Sequence, residues 1–276
     1  MKSLRRAVII SLLAFSLVSC GRREAGIIIA GSTSVQPYAE VLAEDYALLH
    51  PESVIDIQGG GSSAGIPAAL SHTANIGMSS RPLTEKERGL LWSREIAKDG
   101  LAIIVHPDNP VHSLSIEQVC DIYTAKIRDW NTLGGRDTKI HIIAREEGSG
   151  TRSAFESLVM KSGGISPRAI VQDSNGAVKQ LVSSDVNSIG FISLGLVDHT
   201  VKAVHLNGIA PTRENVIGGS YSLYRPFLFV SEGEPAGHVK AFIDFTLSQE
   251  GQRILTHEGL IPAVNAPGAA KEQVHG

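Results

Sequence analysis

Three times along the chain an apolar run ends in glycine and hydroxyl residues, and a helical pattern begins there. The turns are Gly31-Ser32-Thr33-Ser34, Gly60-Gly61-Ser62-Ser63 and Gly148-Ser149-Gly150-Thr151. The first amides of a helix lack internal partners and carry roughly half a positive charge from the macrodipole. Glycine lets a ligand approach the backbone, hydroxyls add donors, and such an end binds oxyanions. Capping alone accounts for any one of these turns. Three together, one of them following Arg145 in Ala144-Arg145-Glu146-Glu147-Gly148, make a set. A guanidinium at a strand end can hold a tetrahedral oxyanion through paired charge-assisted hydrogen bonds. Glu147 is expected to lie across from Arg145 and hold its plane. Taken alone, Arg145 reads more simply as half of a surface ion pair.

Other chemistries compete for the same residues. Gly61-Ser62-Ser63-Ala64-Gly65 matches the G-x-S-x-G nucleophile elbow, with Ser63 as nucleophile and Asp198, His199, His205 or His238 downstream. That alternative, a serine hydrolase, leaves the other two turns without a role, and no enzyme activity is expected. The same glycines loosely fit a dinucleotide fingerprint, but no acidic residue follows at the required distance. The ten histidines are scattered without metal-ligand spacing, so neither a metal nor a cofactor is expected. Trp92, Trp130 and Cys120 read as packing residues.

The elements that must position these turns alternate between strand and helix. Strands are expected at 27–30, 54–57, 76–79, 101–105, 140–144, 188–192 and 227–230. Helices are expected at 35–49, through Leu70, at 84–92, 115–123, through Met160, near 178–182 and at 236–247. Pro37 suits the first turn of the first long helix. This is an α/β chain, and in an α/β sheet the helix starts fall at the carboxyl edge of the strands, where ligands bind.

The chain has 276 residues, of which 42% are hydrophobic and 19% charged, enough for an ample core without disulfides or metals. Lys2, Arg5 and Arg6 precede an apolar run from 7 to 18 that ends in Leu17-Val18-Ser19-Cys20. The run is short for a membrane span and reads as an export signal. It resembles a bacterial lipoprotein signal. That resemblance implies cleavage before Cys20, acyl chains on Cys20, and membrane attachment through lipid only, facing the periplasm or the cell exterior. There are 25 basic and 28 acidic residues, and losing the leader makes the remainder more acidic. Nucleic acid is not expected as a partner.

Beyond the turns, the stretch 140–155 resembles the signature of the phosphate-binding subunit of bacterial ABC phosphate importers. So do Gln58-Gly59-Gly60-Gly61-Ser62-Ser63-Ala64-Gly65, Ile76-Gly77-Met78-Ser79-Ser80-Arg81, and Asp121-Ile122-Tyr123-Thr124-Ala125-Lys126-Ile127 with Trp130 and Leu133-Gly134-Gly135, and also Ser188-Ile189-Gly190-Phe191. The resemblance implies a two-lobed periplasmic-binding-protein fold of type II, with a hinge and a cleft between lobes closing on inorganic phosphate. Lobe 1 is expected at 26–105 plus about 220–266, lobe 2 at 106 to about 219, a tether at 20–25 and a frayed tail at 267–276. The chain crossings are placed near His106–Pro110 and within Asn207–Arg225. By position, Ser32, Thr33, Ser34, Ser62, Ser63 and Ser80 come from lobe 1. Arg145, Ser149, Gly150 and Thr151 come from lobe 2, with Glu147 in support. Some members carry an aspartate where this chain has Ser80, and that carboxylate accepts the proton of hydrogen phosphate. Sulfate, molybdate or tungstate as ligand, or a sensor role on the same fold, are the neighbouring alternatives. The resemblance further implies importer permease subunits as partners and a monomeric chain.

Overall fold

Residues 26–161 and 163–263 are described in a computed structural model. The leader at 1–19, Cys20, the tether and the tail at 267–276 lie outside the described residues.

One continuous sheet runs through both lobes in the order β2-β1-β3-β11-β4-β8-β6-β7. β1 (Ile27–Gly31) lies parallel to both β2 (Ile55–Gly59) and β3 (Ile76–Ser79). Alternate residues of β1 face inward, so Ile27 and Ile29 enter the core. β11 (Tyr224–Ser231) runs antiparallel to β3 and to the first half of β4 (Trp92–Val105). From Leu101 onward β4 pairs instead with β8 (Ser188–Ser193), and β8 continues to β6 (His141–Arg145) and β7 (Ile170–Gln172).

The core divides at the same point. Ile96 and Ala97 pack with Ile29, Leu42, Ile76 and Phe229 in lobe 1. Leu101, Ile103 and Val105 pack with Tyr123, Phe155, Phe191 and Leu223 in lobe 2. The crossing expected near His106–Pro110 therefore lies earlier, where β4 exchanges β11 for β8 between Gly100 and Leu101. β11 starts at Tyr224, opposite Gly100. Only the second half of β4 reads as a strand in the sequence. Its first half carries Arg94, Glu95 and Lys98, whose charges mask the buried Ile96 and Ala97.

The helices begin at the carboxyl ends of the parallel strands. α1 (Gln36–Leu49) follows β1, with Pro37 in its first turn. α2 (Ser62–Leu70) follows β2 and lies so close to β1 and β3 that a Cβ on Gly65 would collide with Ala30 O, Gly31 Cα and Met78 O. α3 shrinks to Glu85–Arg88, opened by a capping box between Thr84 and Glu87 and closed at Gly89. α4 (Ile116–Tyr123) starts at another capping box, Ser115 with Gln118. α5 (Gly150–Phe155) follows β6 and continues as a π-helical turn, Glu156–Met160. Phe155 at its end stacks on Phe191 of β8, centroids 4.1 Å apart and rings 2° from parallel, which fixes α5 to the lobe 2 sheet. α6 (Asn175–Ser184) follows β7, capped by Ser174. α7 (Arg213–Ile217), α8 (Gly237–Leu247) and α9 (Gln249–His257) complete the set. Short strands β5 (Ser113–Leu114), β9 (Lys202–Ala203), β10 (His205–Leu206) and β12 (Ile261–Pro262) edge the lobes.

Trp130 is buried and donates Nε1–H to Asn187 O at 2.9 Å. Cys120 is half-buried against the lobe 2 core. Both are packing residues, as their sequence surroundings indicate. Among the described residues no helix is long and apolar enough to cross a membrane, and no cluster of His, Cys, Asp and Glu could hold a metal ion.

Candidate anion-binding site

The turns after β1, β2 and β6 meet in one place. From lobe 1, Ser32 Oγ donates to Ser80 Oγ at 2.8 Å, and Ser80 N donates to Ser62 Oγ at 3.0 Å. Across the cleft, Ser34 Oγ lies 2.6 Å from Thr151 Oγ1, and Ser63 N donates to Gly148 O at 3.2 Å. Ser32, Ser34, Ser62, Ser80, Arg145, Ser149 and Thr151 are all buried. Gly150 sits between them: a Cβ there would overlap the hydroxyls of Ser62 and Ser80. The two lobes thus touch through polar side chains and backbone polar groups at this point, which is costly unless every group is hydrogen-bonded.

Arg145 ends β6 and is 1% exposed. Its Nε donates to Glu146 Oε2 at 3.0 Å and Nη2 to Glu146 Oε1 at 2.8 Å, a two-point ion pair that fixes the guanidinium plane. Nη2 also donates to Asp173 O at 2.8 Å and to Thr33 Oγ1, in the other lobe, at 3.0 Å. Only Nη1 is left lightly engaged, 3.5 Å from Thr151 Oγ1. The fork is anchored on one side and offers Nη1 to the cluster.

The supporting carboxylate is therefore Glu146 and not Glu147. The Glu147 side chain is 91% exposed and lies 3.9 Å from Arg152. The backbone leaves β6 at Arg145, so the adjacent residue, still beside the strand, reaches Nε and Nη2, while the next one points out into the turn. Ser63 is a second correction. Its side chain is exposed, and only its backbone N–H reaches across to Gly148. No hydrogen bond links Ser63 to Asp198, His199, His205 or His238 among the described residues; Asp198 is engaged by Lys179 at 2.9 Å and Thr200. The residues of the hydrolase alternative are not assembled.

Asn175, which the sequence places in a turn and not among the site residues, joins the cluster. It is 1% exposed at the first position of α6 and donates Nδ2–H to Ser34 Oγ at 2.8 Å across the cleft. The signal was present: Ser174-Asn175-Gly176 is a fourth polar, glycine-containing helix start after a strand. It lacks the repeated hydroxyls of the other three.

A buried basic fork, at least five hydroxyls and several helix starts turned inward can dehydrate a small tetrahedral oxyanion and replace its water shell with directed donors. A family model for the PBP superfamily domain matches residues 20–250. The phosphate-binding protein PstS of Bacillus subtilis (strain 168) is 32% identical over 242 residues, spanning 86% of this chain and 80% of that protein. The chain belongs to the PstS family. Solved structures agree with that membership. A phosphate ABC transporter substrate-binding protein from Clostridium perfringens, solved with bound phosphate, superposes with a TM-score of 0.83 at 44% identity, covering 87% of this chain and all of that one. An ABC-type phosphate transport receptor from Vibrio cholerae gives 0.73 at 41%, covering 86% and 100%. In this PstS member Ser80 presents a hydroxyl to the cluster, 2.8 Å from Ser32 Oγ. Both oxygens of Glu146 are committed to Arg145, so the acceptors facing the cluster are hydroxyl oxygens.

Proposed function

We propose that this chain is an extracytoplasmic receptor that captures inorganic phosphate between its lobes and delivers it to an ABC importer. The observation that carries the reading is the meeting of Arg145 and Thr151 from one lobe with Thr33 and Ser34 from the other, Arg145 donating to Thr33. A ligand that bonds to both sides favours the closed form over the open one, and its release reopens the recognition surface. The strands joining the lobes, β4 and β11, are the natural hinge.

Micromolar affinity requires about −8 kcal/mol. Charge-assisted hydrogen bonds of roughly 1.5–3 kcal/mol each supply it after ordering and closure costs. Ser32, Thr33, Ser34, Ser62, Ser80, Ser149, Gly150 and Thr151 present the donors, and Arg145 Nη1 adds a charge-assisted one, although Glu146 offsets much of the guanidinium charge. Cys20 is the proposed lipid attachment point, which keeps the monomeric receptor beside its permease without a spanning helix. The test is calorimetry on purified protein dialysed free of anions, titrated with phosphate, sulfate and molybdate. The reading requires phosphate to bind at least as tightly as the other two; sulfate or molybdate binding well above phosphate would reassign the ligand.

A further inference from the structure

Asn175 has its amide orientation fixed by its neighbours. Its Oδ1 accepts the backbone N–H of Ser193, 3.4 Å away in β8, and a backbone N–H can be bonded only by the oxygen of the amide. The NH2 group is thereby turned to Ser34 Oγ in the opposite lobe at 2.8 Å. Ser34 Oγ in turn lies 2.6 Å from Thr151 Oγ1, which receives Arg145 Nη1 at 3.5 Å.

The hydrogens in this group can be counted. Two hydroxyls carry two hydrogens and four lone pairs. Their mutual bond uses one hydrogen and one lone pair, whichever of them donates. Asn175 and Arg145 bring two more hydrogens and fill two further lone pairs. One hydroxyl hydrogen is left over, and both flanking groups are donors that cannot receive it. We infer that Asn175 is a positioning and specificity residue of the anion site, holding the Ser34–Thr151 pair so that its spare hydrogen is presented to the bound anion. The inference rests on the phosphate reading of this site and deepens it. An aspartate at 175 would reverse the count: it would accept the spare hydrogen, leave the pair with none for the ligand, and set a negative charge beside it.

The test is a double-mutant cycle on the full-length chain purified in detergent, titrated with inorganic phosphate, with far-ultraviolet circular dichroism to check folding. Asn175→Ala and Ser34→Ala should each weaken binding by about tenfold. Because the first acts through the second, the double variant should bind within about twofold of Ser34→Ala. Losses that multiply to about a hundredfold, or an Asn175→Ala variant with wild-type affinity, overturn the inference. Should Asn175→Ala fail to fold, the nearly isosteric Asn175→Asp decides: it must weaken binding more than Ser34→Ala does, and equal or tighter binding overturns the inference. A wild-type chain that binds sulfate but no phosphate overturns the phosphate reading alone, and the cycle is then run with sulfate. Uptake of neither overturns both.

Discussion

Arg225 Nη2 donates to Asp99 Oδ2 at 2.9 Å across the two strands that join the lobes, and both side chains are 1% exposed. Arg225 Nε reaches the same oxygen at 3.1 Å, while Ser193 Oγ donates to Oδ1 at 2.7 Å. Burial pushes the Asp99 carboxyl up and the Arg225 guanidinium down, and each is held charged by the other. The pair lies one residue before β4 changes partner, at the proposed hinge.

Arg225 Nη1 already has no hydrogen-bond partner among the described residues. Removing Asp99 would strand the whole cation. Asp99→Ala should cost about 3–5 kcal/mol in urea unfolding, whereas the double replacement Asp99→Leu with Arg225→Met should recover most of the loss. A single variant within about 1 kcal/mol of wild type would mean that the pair is solvated in solution.

Glu87 clamps Arg81, the residue after Ser80, with both carboxylate oxygens at 2.8 Å from the guanidinium. The hydrogen bond from Arg81 is the main reason the Glu87 carboxyl is lowered from 4.5 to about 2. A depressed carboxyl stabilises the fold fully above its unfolded value and loses that contribution as pH falls toward the folded one. Acid unfolding of the wild type should therefore include a contribution lost between pH 4.5 and about 2 that Glu87→Gln lacks. The stability difference between the two proteins should be constant above that window and shrink within it; a difference that grows on acidification would refute the assignment.

Gly150 leaves the gap into which Ser62 and Ser80 close. Gly150→Ala should keep the lobes folded but hold them apart, weakening phosphate binding by at least about tenfold, with a larger radius of gyration at saturating phosphate. Wild-type affinity in this variant would show that closure does not bring these groups together as described.

Among the described residues no carboxylate hydrogen-bonds Ser80, whose side-chain partners are the hydroxyls of Ser32 and Ser62, so fully ionised sulfate meets hydroxyl oxygens there. Sulfate should compete measurably with phosphate in the wild type. Ser80→Asp should reduce that competition by more than about tenfold, because like charges in a dehydrated site cost several kcal/mol. Unchanged sulfate competition in Ser80→Asp would place the anion elsewhere.

The features legible in the sequence were those decided locally. A helix start is written in glycines and hydroxyls within four residues, and Arg145 sits directly at a strand end, so this part of the site was visible before any fold. Glu146 was missed because choosing between adjacent carboxylates requires the direction in which the chain leaves β6. Asn175 was missed because its partner, Ser34, lies 141 residues away in the other lobe. The hinge position depended on β4 being one 14-residue strand shared between two cores. Hydrophobic periodicity does not record a change of neighbour, and the loop containing Pro107 and Pro110 is a louder boundary signal than Gly100.

In the proposed function the buried guanidinium of Arg145, held by Glu146 with one nitrogen turned inward, is the cationic donor that grips phosphate. Calorimetric titration of Arg145→Ala against wild type tests it most directly. Phosphate affinity should fall by about a hundredfold or more while the circular dichroism spectrum is preserved. A folded Arg145→Ala protein that binds phosphate as tightly as the wild type would contradict it.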